Sequence, residues 1–192
     1  MSNKAKSEKP RLMTSRTIES PVGRLLAIAS NGKLIALAFP ANRKTVTSQL
    51  TRQGFAATKN KTSATDEGVL DRVAGELELY FAGRLRKFSI PMGTNGTEFQ
   101  EEVWGALRRI RWDTTTTYGD LARELKRPGS ARAIGMANAK NPIAIIIPCH
   151  RVTGAGNKIK GFAGGSAAVR GLLAIERKQP TGKGGSKDSH DH

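Results

Sequence analysis

The sequence predicts a mixed α/β chain of the α+β class, in which a small N-terminal domain of one β-sheet and one helix precedes a C-terminal helix-turn-helix domain. Three observations predict this class. Short apolar stretches separated by turn residues fill roughly the first 40 residues, which is typical of strands. Apolar residues recur at helical spacing after the polar segment 42–64. Finally, Pro128-Gly129 separates two short helical patterns.

The N-terminal pattern indicates a meander of three strands over residues 14–19, 25–29 and 34–39. The first connection contains Pro21 and Gly23, and the second is Asn31-Gly32, which is a strong hairpin signal. A helix follows, with Thr65 or Asp66 available as its N-cap. The residues that would pack this helix against the sheet are Val69, Val73, Leu77, Tyr80 and Phe81.

The C-terminal pattern begins with a capping box, because Thr97 is followed three places later by Gln100. One helix with a buried face follows; that face comprises Phe99, Val103, Leu107 and Ile110. A second helix is predicted over residues 117–125. A third helix, capped by Ser130, should run to about Ala139. Two short helices around a tight turn form a helix-turn-helix.

Small side chains dominate the third helix of this region, and Arg132 is the long basic exception near its start. A helix with short side chains can enter the narrow minor groove of DNA, where Arg132 would insert into the base stack. The alternative is a tightly packed internal helix that carries a surface arginine. The neighbouring basic residues favour contact with phosphate; they are Lys126, Arg127 and Lys140.

Cys149 is the only cysteine of the chain, and it follows the apolar run 143–147 directly after Pro148. We interpret that run as a buried strand whose end holds Cys149 in a fixed place beside His150. This arrangement suits a nucleophile with a neighbouring base. A structural thiol is the alternative, because free cysteine is often a small buried hydrophobe.

The last helix, which Ser166 could cap, places Glu176 on its apolar stripe together with Val169, Leu172 and Leu173. A carboxylate there is buried at a cost unless a partner compensates it. His150 would gain a defined tautomer from this pairing, whereas Arg170 could only neutralise the charge. Alternatively, Glu176 lies at a frayed helix end and turns to solvent.

Composition and charge limit the class of protein. With 38% hydrophobic and 25% charged residues, the 192-residue chain is long enough for one large or two small globular domains. The predicted division is a basic tail at 1–13, an α/β domain at 14–92 with a polar linker at 42–64, a second domain at 93–177 and a flexible tail at 178–192. The tails and linker carry most of the net charge of +16 and would add only nonspecific affinity for polyanions.

Several classes of protein or site are not expected. No stretch approaches the roughly 18 apolar residues of a membrane span, and the N-terminus lacks the apolar segment of a secretory signal. One cysteine cannot form an internal disulfide, and one cysteine with three histidines, two of them in the last three residues, does not fit the ligand spacing of a structural zinc site. We therefore expect a cytoplasmic protein without a metal site.

Between Gly96 and Glu176 the chain resembles the O6-alkylguanine-DNA alkyltransferases, also called methylated-DNA-protein-cysteine methyltransferases. Several separate motifs occur in the family's order and spacing. They are Gly96-Thr97, Phe99-Gln100, Val103-Trp104, Thr117-Tyr118, Ala131-Arg132-Ala133-Ile134-Gly135, Asn141-Pro142, the segment 148–152, Gly161-Phe162-Ala163-Gly164-Gly165, and Leu172-Leu173 with Glu176. The resemblance is weaker over residues 15–92 and absent from the tails.

The resemblance implies a ribonuclease H-like N-terminal domain and a winged-helix-like C-terminal domain for DNA binding and catalysis. It also implies five site roles. Cys149 would accept the alkyl group, His150 would be its base through a bound water, and Glu176 would orient His150. Asn141 would tie the recognition helix to the active-site turn, and Tyr118 would help to rotate the nucleotide outward and protonate the departing base.

For DNA the resemblance implies that Arg132 replaces the flipped guanine in the stack. Tyr118, Gly119, Ser130 and Ala131 are the other predicted DNA contacts. The predicted pocket for the flipped base is lined by Val152, Phe162, Ala163 and Gly164.

The function that follows is repair of duplex DNA containing O6-alkylguanine, with O4-alkylthymine left open, by a monomer that needs no cofactor and no obligate protein partner. The product would be a thioether on Cys149, so each molecule should act once. Bound to DNA, the protein would associate with the nucleoid. Two alternatives are a noncatalytic alkylated-DNA-binding protein, disfavoured because Cys149 is kept, and a cysteine hydrolase.

Three positions depart from the family pattern. Arg111 stands where many members have proline, Phe162 lacks the hydroxyl of a common tyrosine, and Arg170 replaces a frequent lysine. These departures affect expectations about pocket selectivity more than about the type of reaction.

Overall fold

The computed structural model describes residues 10–57, 63–154, 156 and 162–178. Most of the predicted basic tail and of the predicted C-terminal tail lies outside these residues. The helices and strands are β1 (Arg11–Ile18), β2 (Leu25–Ser30), β3 (Lys33–Ala38), α1 (Arg43–Arg52), β4 (Phe55–Ala57), α2 (Ala64–Phe81), α3 (Glu98–Arg109), β5 (Thr116–Thr117), α4 (Tyr118–Glu124), α5 (Ala131–Ala139), β6 (Val152–Thr153) and α6 (Gly165–Arg177), with short 3₁₀ helices at Pro40–Asn42 and Cys149–Arg151.

A four-stranded sheet in the order β3-β2-β1-β4 forms the N-terminal half. The predicted meander is confirmed, since β1, β2 and β3 pair antiparallel in sequence. Asn31 and Gly32 both have positive φ, at 51° and 71°, as the tight hairpin between β2 and β3 requires. The strand β4 adds to the other edge, parallel to β1.

The segment 42–64 is not the simple polar linker that its composition predicts, because it contains α1 and β4. Three apolar residues of this segment are buried in a second small core against one face of the sheet; they are Val46, Leu50 and Phe55. Their spacing among polar residues conceals this role in the sequence. The first strand also begins earlier than predicted, since Arg11 pairs with Phe55 of β4.

The helix α2 packs against the sheet through the side chains that its spacing predicts; Val69, Val73, Leu77 and Tyr80 are buried and Phe81 packs at the edge. The helix begins at Ala64 with Ser63 as its N-cap, so neither Thr65 nor Asp66 caps it. The carboxylate of Asp66 instead accepts a hydrogen bond from the Gly32 amide at 2.7 Å. This contact ties α2 to the hairpin.

The helices α3, α4 and α5 form the predicted helix-turn-helix region. The capping box of Thr97 and Gln100 is present at the start of α3. A second capping box, between Thr117 and Asp120, begins α4. Ser130 is the residue before α5 but does not cap it, because its hydroxyl donates to the Arg127 carbonyl at 2.6 Å.

The apolar run 143–147 is buried but is not a strand, which corrects the prediction. Its backbone folds back on itself, with the Ile147 amide donating to the Ile143 carbonyl at 3.0 Å. Ile145 has a positive φ of 70°, which no extended strand contains. An apolar run indicates burial but not whether the backbone is extended, and here the tertiary contacts impose a turn.

This turn is hydrogen-bonded to the N-terminal sheet. The Leu37 amide donates to the Pro142 carbonyl at 2.9 Å, and the Ala144 amide donates to the Leu37 carbonyl at 3.0 Å. One hydrophobic core includes residues of β2, β3, α2, α3 and the turn. The two halves of the described chain therefore share a core.

The last helix, α6, starts at Gly165, and its N-cap is Gly164, two residues before the predicted cap Ser166. Its buried residues include Val169, Leu172 and Glu176, whereas Leu173 is only half-buried. None of the helices in the described part of the chain combines the length and apolar character needed to cross a membrane.

Candidate active site

Cys149 is the first residue of the 3₁₀ helix that follows the buried turn, and it is 7% exposed. Burial raises the pKa of its thiol to about 11, although the Asn141 side chain and nearby backbone groups oppose this effect. The resting thiol is therefore protonated at neutral pH. Reaction at this sulfur requires a base that removes the proton.

His150 lies beside Cys149 and is also buried. Its Nε2 lies 2.8 Å from Oε1 of Glu176. Because that carboxylate is ionised, Nε2 carries the proton and donates it, which leaves Nδ1 as an acceptor. Nδ1 is buried and has no hydrogen-bond partner among the described residues. Burial lowers the pKa of His150, while Glu176 partly opposes the shift. The ring is thus neutral and able to accept one proton.

Glu176 is 2% exposed and faces inward from α6, as its helical spacing predicts. Its Oε1 accepts hydrogen bonds from the Tyr80 hydroxyl at 2.8 Å, from His150 and from Nη2 of Arg151 at 2.9 Å. Its Oε2 accepts from Nε of Arg151 at 2.9 Å. Burial opposes ionisation, but the hydrogen bonds from His150 and Arg151 outweigh it and lower the pKa of Glu176 to about 2.

The sequence pattern does not predict two of these partners. Helical spacing predicts that Tyr80 lies on the buried face of α2, and the signal for its further role is that a buried tyrosine needs a partner for its hydroxyl. Arg151, which follows His150 directly, pairs with Glu176, whereas Arg170 is exposed. Arg151 also donates to the Ile110 carbonyl at 2.7 Å, so it joins the end of α3 to the site.

Asn141 follows the end of α5 and is buried beneath the active-site turn. Its Nδ2 donates to the Ile147 carbonyl at 2.9 Å, and its Oδ1 accepts from the Ile143 amide at 3.0 Å. These bonds close the turn that precedes Cys149. The geometry agrees with the predicted tie between α5 and the active-site turn.

Tyr118 begins α4 directly after β5, and β5 pairs in parallel with β6, which follows Cys149 by three residues. The Tyr118 hydroxyl accepts a hydrogen bond from Nδ2 of Asn138 at 3.1 Å. Its ring lies against Gly135 of α5. Burial raises the pKa of Tyr118, and the Cys149 thiolate raises it further when it forms. The hydroxyl therefore keeps its proton.

The helix α5 has two distinct faces and is not a wholly internal helix. Ile134, Ala137 and Asn138 are buried, whereas Arg132 and Met136 are exposed. Three other predicted DNA contacts are half-buried near the starts of α4 and α5; they are Gly119, Ser130 and Ala131. The exposed face thus carries Arg132 and Met136 together with the short side chains of Ala133 and Ala139.

Phe162, one of the predicted pocket residues, lies beside His150. Val152 is buried, and Phe162, Ala163 and Gly164 are half-buried. The Phe162 ring stands edge-on to His150 at 6.5 Å and to Phe39 at 5.3 Å, measured between ring centroids. Gly161 of the same motif lies outside the described residues. A Cβ on Gly164 would come within 2.9 Å of Phe39, so close packing requires glycine there.

Two family models match nearly all of the described chain. Residues 13–94 match the ribonuclease-like domain of 6-O-methylguanine DNA methyltransferase. Residues 98–178 match the DNA-binding domain of the same family.

Curated relatives and solved structures agree with these matches. A methylated-DNA--protein-cysteine methyltransferase of Mycobacterium tuberculosis is 37% identical over 164 residues, which cover 85% of this chain and 92% of the relative. A relative of the same name from Methanosarcina acetivorans is 48% identical over 101 residues, covering 53% of this chain and 65% of the relative. The crystal structure of Mycobacterium tuberculosis OGT in complex with DNA has a TM-score of 0.71 at 36% identity and covers 86% of this chain and 92% of its own.

Proposed function

The chain belongs to the 6-O-methylguanine DNA methyltransferase family, and we propose that it repairs duplex DNA by moving the alkyl group of O6-alkylguanine to Sγ of Cys149. One observation carries the proposal. The buried thiol of Cys149 neighbours a neutral imidazole whose Nδ1 has no hydrogen-bond partner among the described residues, and Nε2 of that imidazole lies 2.8 Å from the ionised carboxylate of Glu176.

The protonation states of the groups in the site suit this reaction. The thiol proton of Cys149 passes through a water molecule to Nδ1 of His150, and Glu176 stabilises the resulting imidazolium. The sulfur anion attacks the alkyl carbon, so the S–C bond forms as the C–O6 bond breaks. The electron pair leaves on guanine, which takes a proton from the Tyr118 hydroxyl. Imidazolium then returns its proton to the tyrosinate through solvent, and the displacement balances without a further reactant.

DNA binding supplies access to the reacting atom. The O6 substituent of a stacked guanine is out of reach of a buried cysteine, so the nucleotide must rotate out of the duplex. We infer that the side chain of Arg132, on the exposed face of α5, fills the gap that the flipped guanine leaves in the base stack. Phe162, beside His150, is suited to stack on the flipped base.

The thioether product explains why each molecule acts once. A thioester has a carbonyl carbon that water attacks, whereas a thioether offers no such centre to the same groups. The protein would therefore be consumed in proportion to the lesions repaired. Two further parts of the proposal are that the protein acts as a monomer and that it works in the cytoplasm.

The test mixes the protein with an excess of duplex DNA that contains O6-methylguanine. Intact mass followed by peptide mapping should find one methyl group per chain, on Cys149, and unmodified guanine in the DNA. Cys149→Ser should bind the duplex and transfer nothing. A chain that stays unmodified would indicate a binding protein, and continuing release of a small product would indicate a hydrolase; either result contradicts the proposal.

A further inference from the structure

A second concave site lies beside the active-site turn. It is a cavity of about 460 Å³ between the segment after α2, the end of α3 and the turn before Cys149. Six of its lining residues are cationic and none that the structure describes is acidic; the six are Arg86, Lys87, Arg108, Arg109, Arg111 and Arg151. Such a concentration of one charge sign in a concave wall focuses positive potential into the cavity.

Only two of these cations have a carboxylate partner in the described part of the chain. Arg151 binds Glu176, and Arg109 lies 3.0 Å from Glu124. The others, namely Arg86, Lys87, Arg108 and Arg111, form no ion pair with a described residue. Charges of the same sign around one cavity repel each other; for two unit charges in water the repulsion is about 1 kcal/mol at a separation of about 4 Å. An anion in the cavity would remove this repulsion.

The end of α3 explains part of the cluster but not all of it. Arg108 and Arg109 occupy the last turn of that helix, where basic side chains interact favourably with the helix dipole. Arg86 and Lys87 come from the segment after α2, and Arg111 follows α3, so the dipole does not account for them. Three separate stretches of chain, including the one with Arg151, thus bring cations to one place.

The cavity also has a firm aromatic wall. Trp112 and Phe88 line it. Behind them the buried Tyr80 contacts both rings, at 5.4 Å from Trp112 and 5.3 Å from Phe88. The Arg151 guanidinium lies 6.0 Å from the Trp112 ring centre. Because Tyr80 and Arg151 are fixed by Glu176, this wall is held in place before any ligand arrives.

We propose that this cavity binds an anion that carries several phosphate groups. Guanidinium groups recognise phosphate through paired hydrogen bonds, and the volume lies in the usual range for small ligands. The phosphates come either from a free polyphosphate or from the backbone of a DNA segment other than the one held by α4 and α5. The site is separate from the proposed alkyl transfer and does not depend on it.

The test compares two double variants of the full chain that make the same change of charge. Arg86→Glu with Arg111→Glu, called the cavity variant, reverses the charge of two cations of the cavity. Lys44→Glu with Arg52→Glu reverses two exposed cations of α1, which does not line it. Calorimetric titration with inorganic tripolyphosphate at low salt should give one site, weakened about tenfold or more in the first variant and unchanged in the second.

A second arm, with a lesion-free duplex as the ligand, identifies the source of the phosphates. Both arms are run in an Arg132→Ala background to reduce binding by α5. Selective weakening of duplex binding in the cavity variant indicates the DNA backbone, and selective weakening of tripolyphosphate binding alone indicates a free polyphosphate. Equal effects of the two double variants on both ligands, or no binding of either ligand, overturn the proposal.

Measurement of methyl transfer to Cys149 distinguishes a failure of the anion-site proposal from a failure of the proposed function. With Arg132 intact, the cavity variant should transfer at the parent rate from saturating O6-methylguanine duplex. Loss of anion binding with transfer retained supports a distinct site. Absence of transfer in the parent protein would contradict only the proposed function.

Discussion

At the scale of single residues, Glu176 connects the groups that prepare Cys149. It accepts from Tyr80 of α2, from His150 and twice from Arg151. The four hydrogen bonds compensate the burial of its charge, which would otherwise be strongly unfavourable. Only the bond to His150 involves a residue that takes up the thiol proton, so Tyr80 and Arg151 are positioning residues.

The chain has two tyrosines, and their hydroxyl groups should have different effects when removed. Tyr80→Phe removes a buried donor to Glu176 and should lower the free energy of unfolding by about 1–2 kcal/mol, with a small effect on transfer. Tyr118→Phe removes the proposed proton donor and should slow transfer by about a hundredfold with little effect on stability. Urea unfolding and single-turnover rates measure both. A reversed pattern would contradict these assignments.

The depressed pKa of Glu176 predicts a specific pH dependence. Its carboxyl titrates at about 2 when folded and near 4.5 in its ordinary state. The stabilisation this shift represents, about 3 kcal/mol, is present above pH 4.5 and is lost as the pH falls toward 2. Glu176→Gln, which also leaves Arg151 unneutralised, should be less stable than the parent at pH 7.

The stability difference between the parent and Glu176→Gln should shrink as the pH is lowered through this window. Urea unfolding at a series of pH values measures it. A difference that stays constant from pH 7 to pH 3 would be inconsistent with an ionised, hydrogen-bonded carboxylate.

At the scale of elements, Trp104 positions α5. It is buried in α3, and its indole Nε1 donates to the Ala137 carbonyl of α5 at 3.0 Å. Gly96 makes this packing possible, since a Cβ there would lie 2.5 Å from Cζ3 of Trp104. The start of α3 and the body of α5 are thus joined through one aromatic ring.

Two glycine substitutions test this contact. Gly96→Ala should lower the free energy of unfolding by about 1–3 kcal/mol, because Trp104 must shift. Gly105→Ala, inside α3 with no neighbour closer than 4.0 Å, should raise it by about 0.5–1 kcal/mol. Thermal unfolding of both variants provides the measurement, and equal effects would show that the contact at Gly96 is unimportant.

At the scale of the whole molecule, the N-terminal sheet supports the active-site turn directly. Leu37 of β3 exchanges two backbone hydrogen bonds with that turn, and its side chain is fully buried. Tyr80 of α2 reaches Glu176 from the same half. The N-terminal half is therefore part of the site even though it contributes no group to the proposed proton path.

The shared core predicts a single unfolding transition. Both tryptophans lie in the C-terminal half, so their fluorescence reports on that half, whereas far-ultraviolet circular dichroism reports on the whole chain. The two signals should change together in urea. Leu37→Ala should lower the free energy of unfolding seen by both by about 2–5 kcal/mol. A tryptophan transition unaffected by this change would show that the halves unfold independently.

The local features of this protein could be predicted from residues that lie close together along the chain. Helical spacing placed Glu176 inward, Asn31-Gly32 placed the hairpin and Thr97 with Gln100 placed the start of α3, because each depends on residues at most a few turns apart. The family motifs pointed to the same site residues.

The other features depend on long-range packing, which no local pattern of residues reports. The apolar run 143–147 forms a turn, and the polar segment 42–64 contains α1 and β4. Tyr80 forms a hydrogen bond with the carboxylate of Glu176, 96 positions away. Periodicity reports which side of an element is buried. Periodicity does not report which distant group the buried side contacts, because that contact depends on how the two halves pack together.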